Sequence, residues 1–319
     1  MNENTIPLLA IVIPCFNESD GIEETISRLS QLIDKYKKSE IINNDSFLVF
    51  VDDGSQDETW SLIESSSIEN NYIKGVKLSK NQGHQYALLA GMEFVVNKCD
   101  CMVSIDADLQ QDENKIEEFL ASYKKGNEVV LGIRNDRGVD SFFKKLTALF
   151  FYKIMNFMGV KIIKNHADFR LLSNNANKSL LKFEEVNLFL RGLVTLIGFQ
   201  TDYVYYAHYD RFAGESKYTL SKMLGLAIDG ITSFSIVPLR FITFIGFFVF
   251  IFSVVMGVYV LSIACFSNSF IPGWASTVLP IYFIGGVQIL SLGIVGEYIG
   301  KIYKETKRRP RFVCEKTIE

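Results

Sequence analysis

Three segments of the sequence place carboxylates just after a short apolar run, and two of them crowd several together. Pro14-Cys15-Phe16-Asn17-Glu18 follows the first run, Asp52-Asp53-Gly54-Ser55 and then Asp57 the second, and Asp106-Ala107-Asp108-Leu109-Gln110 the fourth. Neighbouring carboxylates repel, so clustering them is costly unless a cation joins them. Asp106 and Asp108 flank one small residue, a spacing that lets a hard divalent ion bridge a carboxylate and the phosphate oxygens of a substrate. Helix capping is the competing use of such residues. It suits Asp57 and Asp112 equally well, but it needs one carboxylate where Asp106 and Asp108 offer two. No G-x-G-x-x-G follows the first run and Gly21 stands alone, which disfavours a dinucleotide oxidoreductase. No G-x-x-x-x-G-K-[ST] occurs either, which removes a P-loop NTPase. A metal-dependent nucleotide site remains.

The elements that must position these residues alternate along the chain. Leu9 to Pro14 reads as a buried strand and Ile22 to Tyr36 as a helix with Ile22, Ile26, Leu29 and Ile33 on one face. Phe47 to Val51 is a second strand, followed by helix from Thr59 to Glu64; Val76 to Leu78 opens a third unit, with helix over Gln85 to Val96. Cys101 to Ile105 and Val129 to Gly132 complete five strand candidates. This alternation predicts an α/β domain with a mostly parallel, doubly wound sheet. Ligands of such sheets bind at the carboxyl ends of the strands, where the acidic segments fall.

Charge divides the chain. It carries 33 Lys and Arg and 36 Asp and Glu, yet none of them lies in the 56 positions from Phe241 to Gly296. Phe241 to Cys265 and Ser276 to Gly300 are each long enough to span a bilayer, separated by a polar link, Phe266 to Ala275, without Lys or Arg. The tail after Gly300 holds Lys301, Lys304, Lys307, Arg308, Arg309, Arg311 and Lys316. The positive-inside rule puts that tail, and with it the N-terminal domain, on the cytoplasmic side of the inner (plasma) membrane. The tail is expected to lie against anionic head groups. Residues 1–216 are thus read as the cytoplasmic α/β domain, 217–235 as a juxtamembrane amphipathic helix, 236–300 as the two spans and 301–319 as the basic tail. A further amphipathic stretch, about 141–158, is rich in Phe and Leu with Lys144, Lys145 and Lys153 interspersed, and is expected in the membrane interface. The start of the chain lacks the pattern of a signal peptide, and five scattered cysteines form neither a disulfide framework nor a zinc site. The net charge of −3 argues against nucleic acid. Gly296 and Gly300 permit close helix packing, which leaves a homo-oligomer open.

VIPCFNE, DDGSQD, NQGHQYAL and DADLQQD, in this order over about 100 residues, resemble the motifs of inverting family 2 glycosyltransferases of the Rossmann-like GT-A fold. HADFRLLS, NLFLRG, RFAGESKYTL, GITSFSIVPLR and GEYIGKIYKETKRRPRF are similar to segments of bacterial polyprenyl-phosphate glycosyltransferases, nearest the bactoprenol glucosyltransferase branch. The resemblance implies that Pro14, Phe16, Glu18, Asp52 and Asp53 line a uridine pocket. It implies that Asp106, Asp108 and Gln110 hold Mg²⁺ or Mn²⁺ with the donor diphosphate, joined by Ser216 and Lys217. Arg134, Arg137, Lys144 and Lys145 are implied for the lipid phosphate, with Arg134 and Arg211 in phosphate or diphosphate contact. His84 is expected to be a structural hydrogen-bonder. Asp168 is the family's candidate general base, but a phosphate acceptor is largely dianionic at neutral pH and barely needs deprotonation. Asp168 is therefore expected mainly to position Arg170 or the acceptor.

The implied reaction moves a hexose, most simply glucose, from a UDP-sugar to undecaprenyl phosphate. A downstream flippase and an extracytoplasmic glycosyltransferase would then use the product for surface glycan. UDP-N-acetylglucosamine or another nucleotide sugar is the alternative donor. A processive polysaccharide synthase is disfavoured because neither Trp60 nor Trp274 sits in a QxxRW-type context. A non-catalytic UDP-sugar sensor is disfavoured because the full motif set is present.

Overall fold

A computed structural model of the chain describes residues 6–135, 163, 165–185, 189–207, 209, 237–266 and 274–319. The chain forms two compact units. One is the sheet domain, which includes the C-terminal Arg309–Glu319; the other holds the two long apolar helices.

The uninterrupted apolar runs become the centre of the sheet, because only strands covered on both faces can carry them. β1 (Leu9–Cys15), β2 (Phe47–Asp52), β3 (Ile73–Leu78), β4 (Cys101–Ser104) and β5 (Val129–Arg134) match the five expected strands. Three more were not expected: β6 (His166–Ser173), β7 (Thr201–Tyr206) and β8 (Cys314–Ile318). The sheet order is β7-β5-β6-β4-β1-β2-β3-β8. β1 pairs in parallel with β2 and β4, β2 with β3, and β5 with β7. β6 runs antiparallel between β4 and β5, and β8 antiparallel along β3. The expected α/β class with a mostly parallel sheet therefore holds, with two antiparallel strands added.

Helices α1 (Ile22–Lys38), α2 (Thr59–Glu69), α3 (His84–Val95), α4 (Ile116–Lys124), α5 (Asn174–Leu181) and α6 (Leu190–Leu196) complete the described part of this domain. α1 buries the stripe Ile22, Ile26, Leu29 and Ile33, as its spacing requires. α3 lies so close to the sheet that a Cβ on Gly91 would stand 2.3 Å from Val12 Cγ1.

α7 (Val237–Phe266) and α8 (Trp274–Thr306) each contain a segment long and apolar enough to cross a membrane. None of either segment is buried within the protein, and Phe244, Phe247, Ile289 and Leu292 are exposed. A hairpin inside a soluble core would bury such side chains.

The expectation for the tail needs a correction at its far end. Cys314–Ile318 is a strand of the sheet, and Lys316 pairs with Glu64 instead of facing lipid. Lys77–Glu315 and Lys98–Glu319 flank it, and Ile318 reaches Gly75. β-pairing wins because β3 would otherwise leave an open edge.

Candidate active site

The parallel strands β1, β2, β4 and β5 all end at one edge. Because β6 is antiparallel, its first residues come to that same edge, so His166 and Asp168 join the ends of the other strands. Ser104 Oγ donates to the Asp168 carbonyl and fixes this register.

Asp52 and Asp53 are both buried at the end of β2. Gly54 has φ +69°, and a Cβ there would lie 2.5 Å from the Lys80 carbonyl carbon, so only glycine turns the chain here. Asp53 Oδ1 accepts from Gln82 N–H at 2.8 Å and Oδ2 from Gly83 N–H at 2.8 Å. Both its oxygens thus tie down the loop that presents His84. Burial raises the Asp52 and Asp53 carboxyls, partly offset at Asp53 by these backbone donors and at Asp52 by Ser55. After β1, Asn17 takes φ +51°. Its N–H donates to Ser55 Oγ, and Glu18 N–H donates to Thr59 Oγ1. The segment Pro14 to Glu18 therefore stands beside the Asp52 loop.

Asp106 and Asp108 follow β4. Gln111, which is buried, bonds Asp106 twice: its Nε2 donates to Asp106 Oδ2 at 2.6 Å, and its Oε1 accepts from Asp106 N–H at 3.1 Å. Asp106 Oδ1 is buried and accepts no hydrogen bond. Gln110, the residue expected at the metal, donates its Nε2 to the Tyr209 carbonyl at 3.3 Å. Desolvation raises Asp106, His84 offsets part of the rise, and Asp168 and Asp108 add to it. Among the described residues no group of three or more His, Cys, Asp or Glu could hold a metal. Asp106 and Asp108 could still supply carboxylate oxygens to a cation, Asp106 Oδ1 accepting no hydrogen bond. That donor set fits Mg²⁺ or Mn²⁺ completed by waters and phosphate oxygens.

Asp168 is 3 % exposed and fully engaged. Its Oδ1 accepts from the buried Arg170, and its Oδ2 accepts from Arg191 Nη2 at 2.8 Å and Nε at 3.3 Å. His84 Nε2 lies 3.5 Å from Asp168 Oδ2 and 3.5 Å from Asp106 Oδ1, linking the two carboxylates. Burial alone would raise the Asp168 carboxyl, but Arg191 and Arg170 hold it well below the usual range. Desolvation pulls His84 down, and Asp168 and Asp106 more than reverse this. A carboxylate so stabilised is a weak base. Arg191 belongs to the NLFLRG segment, where nothing in the sequence identified its partner.

Arg134 ends β5, half-buried, with its Nε making no hydrogen bond. Arg137, Lys144, Lys145, Arg211, Ser216 and Lys217 lie outside the described residues, as do the stretches 141–158 and 217–235.

The family model described as Glycosyl transferase family 2 matches residues 10–181, which contain both carboxylate segments and Asp168. The chain belongs to glycosyl transferase family 2. An uncharacterized glycosyltransferase, YkoT of Bacillus subtilis, is 47 % identical over 311 residues, covering 97 % of this chain and 91 % of that one. The bactoprenol glucosyl transferase of Shigella phage SfX is 36 % identical over 311 residues, covering 96 % and 98 %. Among solved structures, the mannosyltransferase PcManGT of Pyrobaculum calidifontis, in complex with GDP-Man and Mn²⁺, matches with a TM-score of 0.47 at 13 % identity, covering 95 % and 86 %. So distant a likeness transfers neither a ligand nor a residue role to this family 2 glycosyltransferase.

Proposed function

We propose that this family 2 glycosyltransferase transfers glucose from UDP-glucose to undecaprenyl phosphate at the cytoplasmic membrane face, with inversion. The observation that carries the reading is the layout of charge at the strand ends. A carboxylate pair with an unbonded oxygen suits a donor diphosphate and its cation, and Arg170 and Arg191 at Asp168, with Arg134 at the end of β5, suit a second anion. Near-full-length similarity to proteins named bactoprenol glucosyl transferase supports a lipid-phosphate acceptor.

In this reading a dianionic phosphate oxygen attacks C1 of the sugar, and the C1–O bond to the diphosphate breaks with its electron pair leaving on UDP. No proton must be removed from the nucleophile. Asp168 holds Arg170 and Arg191 in place, Arg134 faces the incoming phosphate, and the Gln82–Gly83 loop after β3, braced by Asp53, shapes the nucleotide pocket. Asp106 and Asp108 would hold Mg²⁺ or Mn²⁺, which supplies Lewis-acid stabilisation of the leaving diphosphate.

Connectivity supports the membrane placement. β8 belongs to the same sheet as the strands before α7, which suits an even number of crossings between them. Two apolar helices satisfy this, and the basic residues after Gly300 favour the cytoplasmic side. The stretches 141–158 and 217–235 would lie in the interface and bring the lipid phosphate within reach.

The test uses purified full-length protein, undecaprenyl phosphate and labelled UDP-glucose, UDP-N-acetylglucosamine or GDP-mannose. Label entering the organic phase from UDP-glucose supports the proposal. Preference for another donor replaces the sugar but keeps the reaction, and no organic-phase label from any donor defeats it.

A further inference from the structure

Gln111 was not among the residues whose chemistry the sequence singled out, yet it makes the closest polar contact to Asp106. It is 3 % exposed, and both ends of its amide are used on the same residue. The carbonyl end takes the Asp106 backbone N–H at 3.1 Å, and the NH₂ end gives to Asp106 Oδ2 at 2.6 Å. A free carboxylate turns easily about its last torsion, which is broad and roughly two-fold. The backbone contact fixes where Gln111 sits, and the side-chain contact then stops that rotation. The result is asymmetric: Oδ2 is spoken for, while the buried Oδ1 accepts no hydrogen bond, with His84 Nε2 nearest at 3.5 Å.

The chemistry of the clamp matters as much as its geometry. A lysine or arginine at this place would neutralise Asp106 and compete with a cation. A neutral amide restrains the carboxylate and leaves its charge available. The rest of the loop supports the same arrangement, since Leu109 takes φ +55° and turns the chain so that residue 111 folds back on residue 106.

We propose that Gln111 is a positioning residue that locks the Asp106 carboxylate in the orientation from which it serves a divalent cation. The inference rests on the metal-dependent reading of the donor site, and it assigns the preorganisation of that site to a residue outside the carboxylate pair. Outer partners of metal-ligating groups typically set about ten- to hundred-fold in affinity.

The experiment titrates Mn²⁺ into the purified full-length protein with UDP present, reading free Mn²⁺ by electron paramagnetic resonance. Gln111→Met keeps the side-chain volume and removes both hydrogen bonds; Gln111→Asn keeps the amide but draws it back by one methylene. The expected result is Mn²⁺ affinity weakened about ten- to hundred-fold in Gln111→Met and by less in Gln111→Asn, with UDP binding in metal-free buffer unchanged in both. Should Gln111→Met fail to fold, a weakened Gln111→Asn still supports the proposal. A folded variant of either kind with wild-type Mn²⁺ affinity overturns it. Wild-type protein that takes up no Mn²⁺ with UDP present overturns the metal reading itself, a separate failure from that of Gln111.

Discussion

Replacing Asp168 by Asn separates a residue that holds charges from one that takes a proton. In the native arrangement one buried carboxylate serves Arg170, whose side chain is 1 % exposed, and Arg191, whose side chain is 38 % exposed. Asn offers one acceptor oxygen, and its NH₂ would confront a guanidinium donor. Removing one partner of a buried ion pair costs about 3–5 kcal/mol, chiefly because the remaining charge stays buried. That cost falls on Arg170; the Arg191 contact is screened by solvent and adds little. For a domain of this size each kcal/mol moves the thermal midpoint by about 2–4 °C, so the variant should melt about 6–20 °C lower. The folded-state carboxyl lies below its unfolded value, so its stabilisation is complete above the ordinary carboxylate range and lost as pH falls below that range toward the folded-state value. Neutral pH therefore captures the whole effect. The assay is thermal unfolding of the purified protein at neutral pH, paired with a pH-rate profile of residual transfer. A variant that melts with the wild type while its profile loses one acidic limb would refute the reasoning and reinstate Asp168 as the base.

Gly54→Ala forces a left-handed backbone on a residue with a Cβ and drives that atom into the Lys80 backbone. It should cost about 1–3 kcal/mol or more and weaken UDP binding, both measurable by melting with and without UDP. Removing residues 314–319 deletes β8 and bares the β3 edge. The ion pairs lost are each worth about 0–1 kcal/mol, so the larger effect should be concentration-dependent association, seen by light scattering. His166 is buried, neither ring nitrogen makes a hydrogen bond, and its pKa is lowered to about 3, mainly by burial and then by Arg170. The unfolded chain takes up this proton near pH 6.5 and the native protein does not, so stability should fall by about 1.4 kcal/mol per unit as pH drops below that value. Denaturant unfolding of His166→Gln at several pH values should show a shallower loss than the wild type; equal slopes would exclude His166 as the source.

The parts of the fold that could be read from the sequence were those where local composition agrees with position. β1 to β5 are apolar runs, and a run buried on both faces has no other home. β6 was missed because His166, Asp168 and Arg170 are buried on it, so its polar and apolar positions do not sort by exposure. Sequence rules fail most readily at sites that carry chemistry, and β6 is such a place. β8 was hidden for a different reason: Cys314–Ile318 lies in a tail whose charge suggested lipid, and only a partner strand some 240 residues earlier in sequence makes it a strand. At the site, Asp106 and Asp108 were legible because two carboxylates around one small residue have few other uses. The contact of Gln111 with Asp106 was not, since it depends on the left-handed turn at Leu109. Arg191 was not singled out, because only β6 brings Asp168 to it.

The central claim is direct transfer of a sugar to a lipid phosphate at the Asp106 edge of the sheet. The most direct measurement is mass and ³¹P NMR analysis of the lipid product formed from ¹³C-labelled UDP-glucose and undecaprenyl phosphate, with and without EDTA. The account predicts a product with a single phosphorus, a β-linked labelled hexose, and formation abolished by EDTA and restored by Mg²⁺ or Mn²⁺. A product with two phosphorus atoms, an α-linked sugar, or undiminished synthesis in EDTA would contradict it.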